Sequence, residues 1–272
     1  MKLPIALQLY SIRNIAENNF AEALLETKKL GYDAVEYAGF FGISPNEVKK
    51  MTEDAGLAPV SAHVPYYDML REPEKVMSDC AAAGCCYVAV PYLTPECRPG
   101  SEGFSETLKG IAKIARAAKS AGLTLLYHNH DFEFMRINGE YALDILYNTV
   151  PADLLMTEID TCWVKVGGEN PAEYIKKYTG RAPLVHLKDY VSSGKGGKMY
   201  KLIGIDDDDN EKASDFGFRP IGYGCQNFSE IIKASENAGS EWVVVEQDEP
   251  SSGKTSLECA KMSIDWLKNN IT

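Results

Sequence analysis

The chain has only four histidines, and each one closes an apolar run. His63 ends Ala58-Pro59-Val60-Ser61-Ala62, His128 and His130 end Leu123-Thr124-Leu125-Leu126-Tyr127, and His186 ends Pro183-Leu184-Val185. Carboxylates follow the same habit. Glu158 and Asp160 close Leu154-Leu155-Met156-Thr157, and Glu246 and Asp248 follow Trp242-Val243-Val244-Val245. An apolar run of this length that stops in polar groups suits a parallel strand buried on both sides, with its C-terminal end opening into a site. Alternate side chains of a strand face one way, so Glu158 pairs with Asp160, His128 with His130, His186 with Lys188, and Glu246 with Asp248. Glu36 comes from a further strand. Buried imidazoles and carboxylates are costly unless they are paired or ligate a metal. A mixed set of this kind suits one divalent ion, Mn²⁺ first, with Mg²⁺, Co²⁺ or Zn²⁺ as alternatives.

Within that set, His128, Asp160, His186 and Glu246 are the expected metal ligands, and His128 could equally orient a substrate hydroxyl. Glu158 and Glu246 are the candidate proton-transferring carboxylates. His63, His130, Glu133 and Lys188 are expected to contact substrate or support the ligands. Trp163 is either a sugar-stacking platform or a hydrophobic residue of the rim. Glu36 is either part of the cluster or a charge satisfied by Lys188 or Arg13.

The elements that must carry these residues are punctuated by glycine. Gly31, Gly56, Gly84, Gly122 and Gly239 each stand between a helical pattern and an apolar run, as helix-ending glycines do. Helices are expected at about 19–30, 45–55, 73–83, 104–121, 140–149, 170–178, 227–238 and 254–269. Strands are expected at about 5–10, 34–38, 58–63, 86–91, 124–130, 154–160, 183–188 and 242–247. Eight strands alternating with eight helices over 272 residues predict a single-domain (β/α)8 barrel. A doubly wound sheet would need a glycine-rich phosphate turn after its first strand, and none is there. Two longer insertions, 92–103 and 189–222, fall where loops shape a barrel's site. The second holds a Gly/Lys stretch without P-loop spacing, read as a lid or surface hairpin, and Asp206 to Asp209, read as a solvated turn.

Composition narrows the function. A net charge of −11 opposes binding to a phosphate backbone, so no nucleic-acid partner is expected. No apolar run is long enough to span a membrane, and the first residues lack a leader's apolar stretch, so a cytoplasmic protein without membrane contact is expected. Seven cysteines without a C-x-x-C pair read as core thiols of a reducing compartment.

Several stretches together resemble the sugar-phosphate isomerase/epimerase superfamily, the xylose-isomerase-like or endonuclease-IV-like TIM barrels. They are Gln8-Leu9-Tyr10-Ser11-Ile12-Arg13, Tyr127-His128-Asn129-His130-Asp131-Phe132-Glu133-Phe134, and Glu158-Ile159-Asp160-Thr161-Cys162-Trp163. His186-Leu187-Lys188-Asp189, Gly222-Tyr223-Gly224 and Val245-Glu246-Gln247-Asp248 complete the set. The resemblance covers nearly the whole chain. It implies one divalent metal held by Glu, Asp, His and Glu, of which Asp160, His186 and Glu246 match the last three. The first position departs from the pattern, since His128 stands where the family has glutamate; either His128 ligates, or Glu133 or Glu158 supplies the carboxylate. The implied activity is isomerisation or epimerisation of a sugar, keto-sugar or cyclitol by proton abstraction beside a carbonyl. Inosose dehydratase-like or 3-keto-sugar lyase chemistry is the alternative on the same site. An endonuclease-IV-like phosphodiesterase and a non-catalytic sugar-binding barrel are the rivals from other classes. The expected partner is a small-molecule sugar or cyclitol, with assembly into a homo-oligomer left open.

Overall fold

Eight short parallel strands close on themselves in the computed structural model, which describes residues 3–192 and 216–271. They are β1 (Ile5–Gln8), β2 (Ala34–Tyr37), β3 (Ala58–Ala62), β4 (Tyr87–Val90), β5 (Thr124–His128), β6 (Leu155–Asp160), β7 (Leu184–Leu187) and β8 (Trp242–Val245). Neighbours in chain order pair in parallel and β8 returns to β1, but β3 and β4 form no ladder. The seam between β3 and β4 has only the His63–Ala89 bridge, supported by Cys86 N–H to Val60 O and Val64 N–H to Ala89 O. A register shift between Val35 and Glu36 against β3 brings His63 N–H onto Tyr37 O, just past the strand's end.

Outside the barrel run α1 (Phe20–Leu30), α2 (Pro45–Asp54), α3 (Pro73–Ala82), α4 (Phe104–Ser120), α5 (Ala142–Thr149), α6 (Pro171–Lys177), α7 (Phe228–Ala238) and α8 (Ser256–Asn270). Their starts follow the local chemistry. Ser44 makes a capping box with Glu47 ahead of Pro45, and Asn170 caps Ala172 and Glu173 ahead of Pro171. Gly31 and Gly239 end α1 and α7 in the left-handed conformation, with φ of 100° and 82°.

Two cores result. Leu7, Val35, Val88, Leu125, Ile159, Val185 and Val243 face the helices. Ala6, Ala34, Val60, Tyr87, Ala89, Leu126, Leu184 and Val244 fill the lower barrel. The side chains above that inner plug, at the strands' C-terminal ends, are the polar ones named above. Short elements too brief for periodicity to reveal decorate this end. They include helices Tyr66–Arg71 and Thr161–Val166, and a ribbon pairing Asp189–Val191 with Gly217–Arg219. The second insertion therefore begins and ends in paired strands. The Gly/Lys stretch and the four aspartates fall outside the described residues. Strands one, five and seven stop short of their expected ends, so Tyr10, His130 and Lys188 stand beyond the ladder. The seven cysteines are free thiols. No helix among the described residues is long and apolar enough to cross a membrane.

Candidate active site

The inward side chains of the strand ends meet around a cavity of about 440 Å³. Tyr10, Ala38, Gly39, Pro65, Pro91 and Tyr92 give it apolar walls, and His63, His128, His130, Lys188, Glu246 and Asp248 give it a charged floor.

At the centre of that floor is the fully buried ammonium of Lys188. It lies 2.8 Å from Glu246, 3.1 Å from Asp248 and 3.2 Å from Asp160. Burial alone would strip its proton, but the three carboxylates outweigh that and hold its pKa well above the usual lysine value. In return, Glu246 resists the upward push of burial. Lys188 and His186 hold it ionised, well below the usual carboxylate range. Asp248 is raised to about 6, because burial there exceeds the help it gets from Lys188.

A second polar layer lies deeper. His63 Nε2–H donates to Glu158 Oε2 at 2.7 Å and stands 3.3 Å from Glu36 Oε2. Gln8 Nε2–H donates to the same Glu36 oxygen at 2.8 Å. Burial lowers the His63 pKa, yet the charges of Glu36 and Glu158 overcome it and the net shift is upward. Glu36 is raised by burial and by the charge of Glu158, whereas Glu158 goes well below the usual range because three imidazoles outweigh its burial. His128 and His130 shift down, first through burial; His130 is also depressed by His128 and Lys188.

His128 and His186 link the two layers through opposite ring nitrogens. His186 Nδ1 is 3.0 Å from Glu246 and its Nε2 is 2.8 Å from Glu36. His128 Nε2 is 3.8 Å from Asp160 and its Nδ1 is 3.3 Å from Glu158. Two donor sets therefore fit a divalent ion, each with ligand atoms within 4.8 Å of one another. One is His128, Asp160, His186 and Glu246; the other is His63, His128, Glu158 and His186. Because they share both imidazoles, one ion takes one set. The second reaches the cavity through His63 and His128, the first through His128 and Glu246. In the first, Asp160 Oδ1 accepts from Trp163 N–H and caps helix Thr161–Val166. Oδ2 accepts no hydrogen bond, although the Lys188 ammonium is 3.2 Å away. A buried carboxylate oxygen left in that condition suits a cation.

Not every expected residue reaches the cavity. Glu158 has 0% exposure, sits beneath His63 and His128 and is not among the residues lining the cavity. Glu133 points the other way as well. Its Oε1 accepts from Tyr127 Oη–H at 2.5 Å and its Oε2 from His130 N–H at 2.9 Å, and burial raises its pKa to about 8. It ties the turn that carries His130 and is not among the residues lining the cavity or in either donor set. Trp163 is wholly buried and stacks behind His130 at 5.2 Å and on Phe216 at 6.2 Å. Of the two readings, this burial fits a hydrophobic residue of the rim packed behind His130. Sequence reasoning passed over Tyr10, Tyr92 and the prolines of the walls, for which no spacing signal exists. Asp248 was visible by parity but was assigned no role.

Residues 24–270 match the family model described as the xylose isomerase-like TIM barrel. The chain belongs to the xylose isomerase-like TIM barrel family. Among its relatives is an inosose dehydratase of Clostridium botulinum (strain Eklund 17B / Type B), 29% identical over 277 residues, with 93% of this chain and 90% of the relative covered. Another is the inosose dehydratase of Clostridium beijerinckii, 25% identical over 278 residues with the same coverage. A sugar phosphate isomerase/epimerase from Parabacteroides distasonis shares the fold with a TM-score of 0.74 at 23% identity, over 99% of this chain and 95% of that one.

Proposed function

We propose that this family member is a sugar-modifying enzyme that withdraws a proton from the carbon beside a carbonyl of a keto-sugar or cyclitol. One observation carries the reading: Glu246, 2.8 Å from the Lys188 ammonium, and His63, 2.7 Å from Glu158, line the same cavity from different strands. Paired titratable groups whose surroundings drive their pKa values apart are the signature of a base and an acid working together.

His128, Asp160, His186 and Glu246 would hold a divalent ion, which when bound supplies Lewis-acid polarisation of the carbonyl. Glu246 takes the proton, and the C–H electron pair moves toward the carbonyl oxygen. Lys188 keeps Glu246 ionised and places a fixed positive charge where negative charge grows on that oxygen. His63 returns a proton from the other wall, oriented by Glu158 and Glu36; this makes Glu158 a positioning group for His63. If the proton meets a β-hydroxyl, the electron pair expels it as water. If it is delivered to carbon, the product is an isomer or epimer. The names of the curated relatives favour elimination, and the retained acid–base pair supports isomerisation or epimerisation as the second reading. His130, neutral and stacked on Phe132 and Trp163, is placed to hold a substrate hydroxyl.

The test is incubation with Mn²⁺ and a panel of keto-cyclitols and ketoses in D₂O, followed by NMR. The reading expects deuterium beside the carbonyl or loss of water, abolished in Glu246→Gln. A chain that binds one of these rings yet neither exchanges nor converts it is a binding protein, and the proposal is then wrong.

A further inference from the structure

Below the cavity floor, three imidazoles and one carboxylate converge. His63 Nε2 lies 2.7 Å from Glu158 Oε2, His128 Nδ1 lies 3.3 Å from the same oxygen, and His186 Nε2 lies 3.7 Å from Glu158 Oε1. The three rings are 4.6 to 5.4 Å apart between centroids. His128 Nδ1, His186 Nε2 and Glu158 Oε1 are buried and make no hydrogen bond. The same is true of Glu36 Oε1, and the other oxygen of that carboxylate is 2.8 Å from His186 Nε2. Buried polar atoms are nearly always satisfied, and one cation answers imidazole nitrogens and carboxylate oxygens together. The layer has no fixed cation of its own. Among the described residues, no lysine or arginine pairs with Glu36 or Glu158, whereas Lys188 answers Asp160, Glu246 and Asp248 in the layer above.

The two donor sets differ in kind. The deeper one offers three nitrogens and one carboxylate, the number and type of ligand that a tetrahedral Zn²⁺ site uses. The upper one offers two nitrogens and two carboxylates. It borders the cavity, where water or substrate oxygens complete the larger, oxygen-rich shell that Mn²⁺ favours. An ion reaches the deeper set from the same cavity, since His63 and His128 line it. Once there it lies next to Glu36, so two carboxylates balance its two charges, and Gln8 Nε2–H holds Glu36 in place at 2.8 Å.

We propose that His63, His128, Glu158 and His186 form a second cation site, selective for Zn²⁺, which competes with the upper set for His128 and His186. The metals are sorted by depth: Mn²⁺ above, Zn²⁺ below, one ion at a time. Zinc in the deeper set also takes His63 as a ligand, so Zn²⁺ should displace Mn²⁺ and arrest turnover. That consequence rests on the reading of His63 as the group that returns the proton; the site itself stands on its donor atoms.

The test loads the metal-free full chain with Zn²⁺ or Mn²⁺, measures binding by equilibrium dialysis and locates zinc by anomalous diffraction from soaked crystals. One zinc ion bounded by His63, His128, His186 and Glu158 is expected, and adding it to the Mn²⁺-loaded chain should release the manganese, seen as the free-ion EPR signal. Asp160→Asn should keep its Zn²⁺ while losing Mn²⁺. Glu158→Gln should keep Mn²⁺ and bind Zn²⁺ at least about 100-fold more weakly, a larger loss than removing a group that merely supports a ligand would give. Zinc found between Asp160 and Glu246, no bound zinc, or manganese retained at saturating Zn²⁺ overturns the inference, as does the opposite pattern in the two variants. If a variant does not fold, the wild-type diffraction decides alone. The two readings fail separately. Zinc seated in the deeper set of a chain that still exchanges substrate deuterium sinks the role of His63 and leaves the site standing. Exchange that depends on Mn²⁺ in a chain whose zinc never enters the deeper set sinks the site and leaves the chemistry standing.

Discussion

Replacing Lys188 with methionine removes the ammonium that balances Asp160, Glu246 and Asp248, while nearly preserving the side chain's length. At an effective dielectric of about 20, unit charges at these separations attract by roughly 5–6 kcal/mol each before desolvation is subtracted. After desolvation, deleting one partner of a buried ionic cluster typically costs about 3–5 kcal/mol. Domains have a total stability of about 5–15 kcal/mol, so Lys188→Met should lower the melting temperature by roughly 6–20 °C. The pH dependence identifies the cause. In the wild type, the depressed pKa of Glu246 contributes stability that is present above the ordinary carboxylate pKa and is lost as pH falls through the lowered folded value. Without the ammonium, the cluster must take up protons in the folded state, so the deficit is largest at pH 7 and above and shrinks toward pH 5. Denaturant melts of both proteins in EDTA, from pH 5 to 8, measure this directly. A variant as stable as wild type at pH 7, or a deficit that does not change with pH, would refute the idea that Lys188 is held by these three carboxylates.

Asp160→Asn should bind almost no Mn²⁺ by elemental analysis and lose activity, whereas Glu158→Gln should retain the ion; the reverse pattern would place the metal on the deeper donor set, and His186→Ala, common to both sets, should lose the ion in either case. His63→Gln should keep its metal and lose about 100-fold in kcat. The wild-type rate should fall as pH rises through the raised His63 pKa, and the variant should lack that limb. Glu133, with a folded pKa of about 8, holds a proton that the unfolded chain gives up near pH 4, so it contributes stability that is lost as pH rises through that window. Glu133→Gln should flatten this slope between pH 5 and 8 at a cost of about 1 kcal/mol or less, read from denaturant midpoints at each pH.

The order of elements was legible because the glycines that end helices leave a mark on the sequence, as at Gly31 and Gly239. The inner face of each strand was legible because side chains alternate. Depth was not. Glu158 and Asp160 share a face, yet two residues of rise put one beneath His63 and the other beside Lys188. Parity sorts faces and says nothing of level, which depends on how the strands stagger around the barrel. Glu133 misled for a related reason. It follows His130 by three residues in a tight turn, where alternation no longer holds and a carboxylate folds back onto the backbone it follows. Lys188 was recognised as a member of the cluster, but its place as the cluster's central cation comes from three strands, and no local pattern encodes that.

The seam between β3 and β4 has the fewest rungs of any joint in the hoop, and His63 hangs from it. Thermal breathing of a barrel concentrates where its staves are least laced. The imidazole assigned to hand back the proton therefore rides on the part of the wall that yields first, and amide exchange near Val64 and Cys86 should outpace that along β5 and β6.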